Sequence, residues 1–450
     1  MKILFATMQF ARGYGQGTER YVALLCEGLA ARGHDVVVAA GDPERRGPRL
    51  KLGALTQDAP RTLFVPTRGW NAVRGLPPAA WRPLLQRERP DVVHVVNPAH
   101  IGGGVAEAAL ELGLPLVITI VDFWWLCPKH TLQHFERGVC DANVTWPECL
   151  RCLAATDARP LVRGVAALPG LRSLALPVLY AGKAMLRGTP ADELRRWTRR
   201  QEYALDLLDR AAIVIFLSAG GRTLLAPRLK KARSTTILVG LDPRWRAGAR
   251  PPIDSTPRRP QDVTLGFVGA LAEHKGPHLL LAALHQLGWR ETRVLVAGGG
   301  TDARYEHRLR ELARGLNVTL LGRVPTGEMP ALLAGLDLLV VPSTWPENLP
   351  QTVLEALATR TPVIASDVAG ISEVIGDPRL LFEVGSVDAL AACLRDWCAA
   401  PRAAESPIPL PTRDEMVEAT LDVYEWARTV GAAGRADRPE SRPEPRVHAT

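Results

Sequence analysis

Residues 342–370 read P-S-T-W-P-E-N-L-P-Q-T-V-L-E-A-L-A-T-R-T-P-V-I-A-S-D-V-A-G, directly after the apolar run Leu336 to Val341. That run is short, continuously apolar and closed by Pro342, the pattern of a buried parallel strand. A polar turn follows. Pro350 suits the first position of a helix, where its missing N–H costs nothing, with Asn348 or Leu349 near the cap and Gln351 to Thr359 continuing as helix. Pro362 to Ser366 is a second strand. The loop of this strand–loop–helix–strand unit lies at the carboxyl end of a strand, where open α/β sheets bind ligands.

Glu347 and Glu355 bracket the loop with seven residues between them. Helix N–H groups hold phosphate or sugar oxygens, and carboxylates accept hydrogen bonds from ribose or hexose hydroxyls. Two arbitrary glutamates would more often be solvated surface groups. Here the E-x7-E spacing, after a Pro-Ser strand end and before E-A-L-A, resembles the retaining GT-B glycosyltransferases, the large family that includes sucrose synthases and phosphatidylinositol mannosyltransferases. The resemblance implies an α/β fold of two Rossmann-like domains facing across a cleft. It also implies that Glu347 holds hydroxyls of a nucleotide-sugar donor, that Glu355 holds its ribose, and that Asn348, Leu349, Gln351 and Thr352 surround it.

A chain of 450 residues, 47% apolar and 23% charged, is long enough for two domains with their own cores. The net charge of +8 lies largely in Arg/Pro-rich stretches such as 243–260 and the tail. It does not demand a nucleic-acid partner; phosphate-bearing ligands or an anionic membrane explain it as well. The start, M-K-I-L-F-A-T-M, has the look of a first buried strand and lacks the features of a signal peptide. No apolar stretch reaches membrane-spanning length. A cytoplasmic protein is expected, with peripheral contact at the inner face of the membrane as a further option.

Strand Ile3 to Thr7 leads into Arg12-Gly13-Tyr14-Gly15-Gln16-Gly17-Thr18-Glu19, then a helix from about Arg20 to Arg32 and strand Val36 to Ala40. Glycines between strand and helix allow a phosphate to approach the backbone, which makes Gly15 and Gly17 donor-binding candidates. The pattern is G-x-G-x-G and not G-x-G-x-x-G, but Asp42 after the second strand keeps an NAD-binding reading open. Gly17-x-Glu19-Arg20 and Arg32-Gly33-His34-Asp35-Val36 are similar to the N-terminal signature of the same glycosyltransferases.

His94, within the buried strand Pro90 to Asn97, is an acceptor-side candidate set against the commoner role of a core histidine. Strand Leu116 to Ile120 delivers Val121-Asp122-Phe123-Trp124-Trp125. The family pattern is H-D-x-W; Asp122 and Trp125 match, and Val121 departs from it. Asp122 is the expected catalytic or acceptor-side polar residue, with a helix cap as its plainer role.

Cys127, Cys140, Cys149 and Cys152 follow with the spacing C-x12-C-x8-C-x2-C. Disulfides are disfavoured in a chain without an export signal, and the spacing fits a structural zinc site, free thiols or an iron–sulfur site. Residues 158–190 carry Arg163, Arg172, Lys183 and Arg187 between short apolar pieces. That composition suits an interfacial helix pair or a buried hairpin. A helix from about Glu193 to Leu208 and strand Ile213 to Leu217 lead to the end of the first domain, expected over 1–240 with inserts at 127–152 and 158–190.

The Pro/Arg-rich segment 241–262 reads as a linker. A second, nucleotide-sugar-binding domain over 263–412 opens with strand Val263 to Val268 and Gly269-Ala270-Leu271-Ala272-Glu273-His274-Lys275-Gly276. Gly269 and Lys275, at the mouth of a strand, suit a diphosphate. The family pattern is G-R-x-x-x-x-K-G, and Ala270 stands where arginine is usual. Arg323, in Leu320-Leu321-Gly322-Arg323-Val324, corresponds to the family's nucleobase region. A last helix, Arg413 to Arg428, is expected to return to the first domain, and 431–450, without apolar periodicity, reads as a disordered tail.

The function that the resemblance implies is transfer of a sugar from a nucleotide sugar to a hydroxyl of a glycan, lipid-linked or small acceptor. It would proceed with retention, on one face of the sugar, without a protein nucleophile and without a catalytic metal. Glu347, Lys275 and Asp122 are the expected catalytic residues. A nucleotide-sugar epimerase and a silent nucleotide-sugar-binding scaffold are the alternatives.

Overall fold

Lys2–Thr7 is apolar at nearly every position and its residues 3–7 are buried, which only a strand covered on both faces allows. The same holds for Val92–Asn97, Leu116–Ile120, Leu338–Val341 and Val363–Ser366. In the computed structural model these runs assemble into two parallel sheets. Residues 1–10, 17–46, 60–67, 73–136, 138–140, 145–156, 162–164, 176, 178, 195–196, 198–300 and 302–432 are described. Gly15, the pieces Arg172, Lys183 and Arg187 of the basic stretch, and the tail beyond Ala432 lie outside the described residues.

The first sheet holds β1 (Lys2–Thr7), β2 (Asp35–Arg46), β3 (Arg61–Thr67), β4 (Val92–Asn97), β5 (Leu116–Ile120), β8 (Ile213–Phe216) and β9 (Ser234–Thr236). Between β5 and β8 a small antiparallel hairpin forms from β6 (Gln133–His134) and β7 (Gly138–Val139). The strand order is β3-β2-β1-β4-β5-β8-β9, and all pairs are parallel. Asp42 falls inside β2, not after it, so it does not stand at a strand end where a ribose would lie.

The second sheet holds β10 (Thr264–Val268), β11 (Arg293–Ala297), β12 (Val318–Gly322), β13 (Leu338–Val341), β14 (Val363–Ser366) and β15 (Leu381–Phe382). Its order is β12-β11-β10-β13-β14-β15, again parallel. Both sheets reverse their order once, between β1 and β4 and between β10 and β13. A crevice opens at such a point because the connections on its two sides leave in opposite directions.

The segment between the sheets carries a short helix, Pro243–Ala247, capped by the Asp242 side chain on the Arg244 amide. Leu241 pairs with Thr412, so the two passages of chain between the domains run side by side. The helix Arg413–Ala432 then packs on the first domain, where Met416, Val417 and Tyr424 join the apolar cluster around Phe5 and Tyr21. It runs four residues beyond the Arg428 end read from the sequence. No described helix is long and apolar enough to cross a membrane.

Candidate active site

The loops after β10 and β13 flank the switch point of the second sheet, and they bring Lys275 and Glu347 together. Lys275 Nζ lies 2.7 Å from Glu347 Oε1. The same oxygen accepts from Ser343 Oγ at 2.7 Å and from Trp345 Nε1 at 2.8 Å. Burial would raise this carboxyl, but the Lys275 charge and the three donors outweigh it and hold the group below the ordinary carboxylate range. Three donors on Oε1 orient the carboxylate, and Oε2 has no partner among the described residues.

Two glycines make this loop possible. Gly276 has φ +72°, and a Cβ there would stand 1.9 Å from the Pro342 carbonyl oxygen; Gly370 has φ +83°, with a Cβ 2.1 Å from the Glu347 carbonyl oxygen. Side chains at either place would push the Glu347 loop off its seat. The loop is further held by Glu347 N donating to Ala369 O at 3.1 Å and by Thr344 N donating to His274 O at 2.8 Å. Pro350 is the N-cap of the helix Gln351–Ala358, with ψ 116°, and not its first residue. Leu349 before it takes φ +97°, a conformation that costs energy without glycine.

Glu355, 1% exposed, pairs with Arg20 of the first domain. Burial raises its carboxyl above the usual range even with Arg20 beside it, and its Oε2 has no hydrogen-bond partner. Gln351 Nε2 donates to Gly17 O at 2.8 Å, a second tie between the domains. Thr352 is half-buried on the same turn. Asn348 is buried against Gly221, with both Oδ1 and Nδ2 unpaired. Glu373 Oε2 accepts from the amides of Ala219 and Gly220 at 2.9 and 3.2 Å, so the turn after β14 also grips the first domain. Gly269 follows β10, where its carbonyl oxygen would meet any Cβ on Gly298 at 1.7 Å. Arg323 lies over Gly299 and close enough to Glu19 to act on its charge.

On the first domain, Asp122 Oδ1 accepts from Trp124 N at 2.8 Å and Oδ2 from Asn97 Nδ2 at 2.7 Å. His130 Nδ1 stands 3.3 Å from the same Oδ2. Asp122 thus both caps the turn and forms, with Asn97 and His130, a polar group at the carboxyl ends of β4 and β5. His94 corrects the acceptor-side expectation. It is fully buried, bonded to Tyr424 Oη at 2.6 Å and Thr119 Oγ1 at 2.7 Å, and burial pushes its pKa down to about 3. A ring with both nitrogens engaged in the core has nothing left for a ligand.

The cysteine expectation also changes. Cys127, Cys140, Cys149 and Cys152 line one cavity with His134 and Glu148, all as free thiols. Yet among the described residues no group of three or more His, Cys, Asp or Glu is arranged to hold a metal ion. Burial raises the Cys127 thiol and pushes Cys149 up to about 12, while Cys152 Sγ donates to Gln133 O at 3.4 Å. The zinc reading is without support here.

Sequence reasoning missed Arg20, Trp345, Glu19 and His130. Arg20 and Glu19 lay within a recognised signature but without a role. Trp345 sits between Ser343 and Glu347 in the sequence quoted first, yet only the fold turns its indole N–H onto the carboxylate.

Comparison with known proteins gives a family model for each sheet. Residues 15–142 match the family model Glycosyltransferase Family 4, and residues 253–418 match Glycosyl transferases group 1. The chain is 30% identical over 215 residues to 2-deoxystreptamine glucosyltransferase of Streptomyces kanamyceticus, covering 45% of this chain and 54% of that one. It is 26% identical over 385 residues to a GDP-mannose-dependent alpha-mannosyltransferase of Mycolicibacterium smegmatis, covering 82% and 81%. It spans about half the length of the first curated relatives it matches, 54% and 52%. Among solved structures, sucrose-phosphate synthase of Thermosynechococcus elongatus superposes with TM-score 0.55 at 17% identity, covering 96% and 92% of the two chains. Anabaena HepE in complex with UDP-glucose gives 0.54 at 17%, covering 96% and 98%. With one matched model on each sheet and the two-sheet architecture shared, the chain belongs to the GT-B glycosyltransferases of the family 4 type.

Proposed function

We propose that this protein transfers a sugar from a nucleotide sugar to an acceptor hydroxyl with retention of configuration. The observation that carries the reading is the Lys275–Glu347 pair at the switch point, with Glu347 held by three donors on one oxygen. Glu347 Oε2 then accepts from hydroxyls of the donor sugar, and Glu355 Oε2, buried and unpartnered, from the ribose. Gly15, Gly17, Gly269, Arg323 and the amides near Leu349, Gln351 and Thr352 complete the donor site. Asn348 supplies an amide that gains partners when a polar ligand enters.

In the same-face reaction the bond from the anomeric carbon to the diphosphate breaks as the acceptor oxygen approaches from that side. The departing phosphate oxygen takes the acceptor's proton. Catalysis then rests on orientation and on stabilising the charge that gathers on the diphosphate, the work of Lys275. Asp122, with Asn97 and His130, faces the acceptor side. Peripheral membrane contact through 158–190 is assigned on that stretch's sequence alone; sedimentation with anionic liposomes at low salt tests it.

Relatives that use GDP-mannose and bind UDP-glucose make uridine and guanosine donors the first to try. A thermal-shift panel of UDP-, GDP-, ADP- and TDP-sugars identifies the donor, and NMR of the product's anomeric proton tests retention. An inverted product overturns the mechanism. Donor hydrolysis without acceptor argues against a silent scaffold, and epimerised donor would favour the epimerase reading.

A further inference from the structure

Two of the cations at the donor crevice are each matched by an acid. Lys275 is paired with Glu347, Arg20 with Glu355, and Arg323 lies near Glu19. His274 adds no charge, since burial first and Lys275 next push its pKa down to about 4. A nucleoside diphosphate brings several negative charges and becomes more negative as the sugar leaves. A crevice in which ion pairs offset part of the positive charge gains from a further cation beside Lys275.

Such a cation stands on the other domain. Lys129 lies on the loop between β5 and β6, and the start of β6 is fastened across the cleft: Gln133 Nε2 donates to Thr344 O at 2.8 Å and to Thr344 Oγ1 at 2.6 Å. Thr344 belongs to the strand end that carries Ser343, Trp345 and Glu347. Lys129 Nζ makes only a long contact, 3.4 Å to Gln133 O, and meets no carboxylate among the described residues. Its field reaches His274, where it adds to burial and Lys275 in disfavouring the charged ring. An ammonium half-buried beside this cross-domain contact, with no carboxylate partner among the described residues and acting with Lys275 on the same His274, is a poor arrangement in an empty site and a good one around an anion.

We propose that Lys129 is a further donor-binding residue, which brings from the N-terminal domain a positive charge, unmatched by a carboxylate among the described residues, that receives the diphosphate of the nucleotide sugar. This rests on the nucleotide-sugar reading above. Because the charge arrives with the Gln133–Thr344 contact, diphosphate binding favours the closed domains, and loss of the diphosphate favours opening.

The test is isothermal titration of UDP, GDP, ADP and TDP, and of their monophosphates, into wild type, Lys129→Met and Lys129→Arg. Lys129→Met is expected to weaken the preferred diphosphate by at least about tenfold, close to 1.4 kcal/mol, and its monophosphate by less than about twofold. Lys129→Arg, which keeps the charge, should restore most of the loss. Unchanged diphosphate binding in Lys129→Met overturns the assignment, as does an equal loss for mono- and diphosphate, which would mark a merely structural lysine. Failure of the wild type to bind any nucleoside diphosphate takes down the donor reading itself, and the Lys129 role with it.

Discussion

Arg20 and Glu355, 335 residues apart in the chain, form one ion pair across the cleft. Glu355 is buried in the second domain, and Arg20 reaches it from the first helix of the first while stacking 5.5 Å from the Trp245 ring. The pair joins the first helix of the first domain to the helix after β13 of the second, and in the proposed reading it ties the ribose side of the donor site to the relative position of the two domains.

Removing one partner should therefore cost more than removing both. Arg20→Ala leaves a buried carboxylate alone, with an expected loss of about 3 kcal/mol or more. The double variant Arg20→Met with Glu355→Gln should recover much of that loss. Urea unfolding of the three proteins checks it; a double variant no more stable than Arg20→Ala rejects the pair as the cause.

Glu347→Gln and Lys275→Ala should each lower turnover by at least about 100-fold, or about 2.7 kcal/mol of transition-state stabilisation. Circular dichroism should show both folded. Turnover within about threefold of wild type in either variant would remove that residue from the site.

Gly370→Ala reaches the same loop without touching its chemistry. With φ +83° and a Cβ 2.1 Å from the Glu347 carbonyl oxygen, alanine must displace the backbone that aims Glu347. Activity should fall at least about tenfold, the loss that a small misplacement of reacting groups brings. Wild-type kcat and KM in the Gly370→Ala variant would show the loop free to adjust.

His94 predicts the acid limb of stability. Its pKa falls from the usual 6.5 to about 3 on burial, so the unfolded chain takes up a proton there that the folded one refuses. The stability that neutral His94 contributes is complete above about pH 6.5. It is lost as the pH falls toward about 3, at up to about 1.4 kcal/mol per pH unit. His94→Gln lacks this proton uptake, so its urea midpoint should fall less than that of wild type between pH 7 and 4. Parallel slopes would count against the assignment.

How much of this could be read in advance differs by residue. Short, continuously apolar runs closed by turn residues announce buried parallel strands, as Leu338–Val341 and Val363–Ser366 do. The shorter or more polar β3 and β9, and the Gln133–Val139 hairpin, have no such periodicity and emerged only with their partners in place. His94 shows the same limit from the other side: a strand histidine looks alike whether it faces a ligand or, as here, Tyr424 from a helix 330 residues away. Four close cysteines likewise suggest a metal by spacing, while burial and backbone bonding of the thiols are matters of folding.

The sequence by itself determined the apolar strand runs, the loop that carries Glu347 and Glu355, and Lys275 beside its glycine, because apolar runs and turn chemistry depend on neighbours along the chain; the plan of two facing domains came through the resemblance to the GT-B glycosyltransferases. Tertiary structure alone decided which charges meet. Arg20 with Glu355, Trp345 and Lys275 on one oxygen of Glu347, and Gln133 on Thr344 each join segments whose approach is set by packing two sheets against each other, and ion pairs and hydrogen bonds act only over a few ångströms.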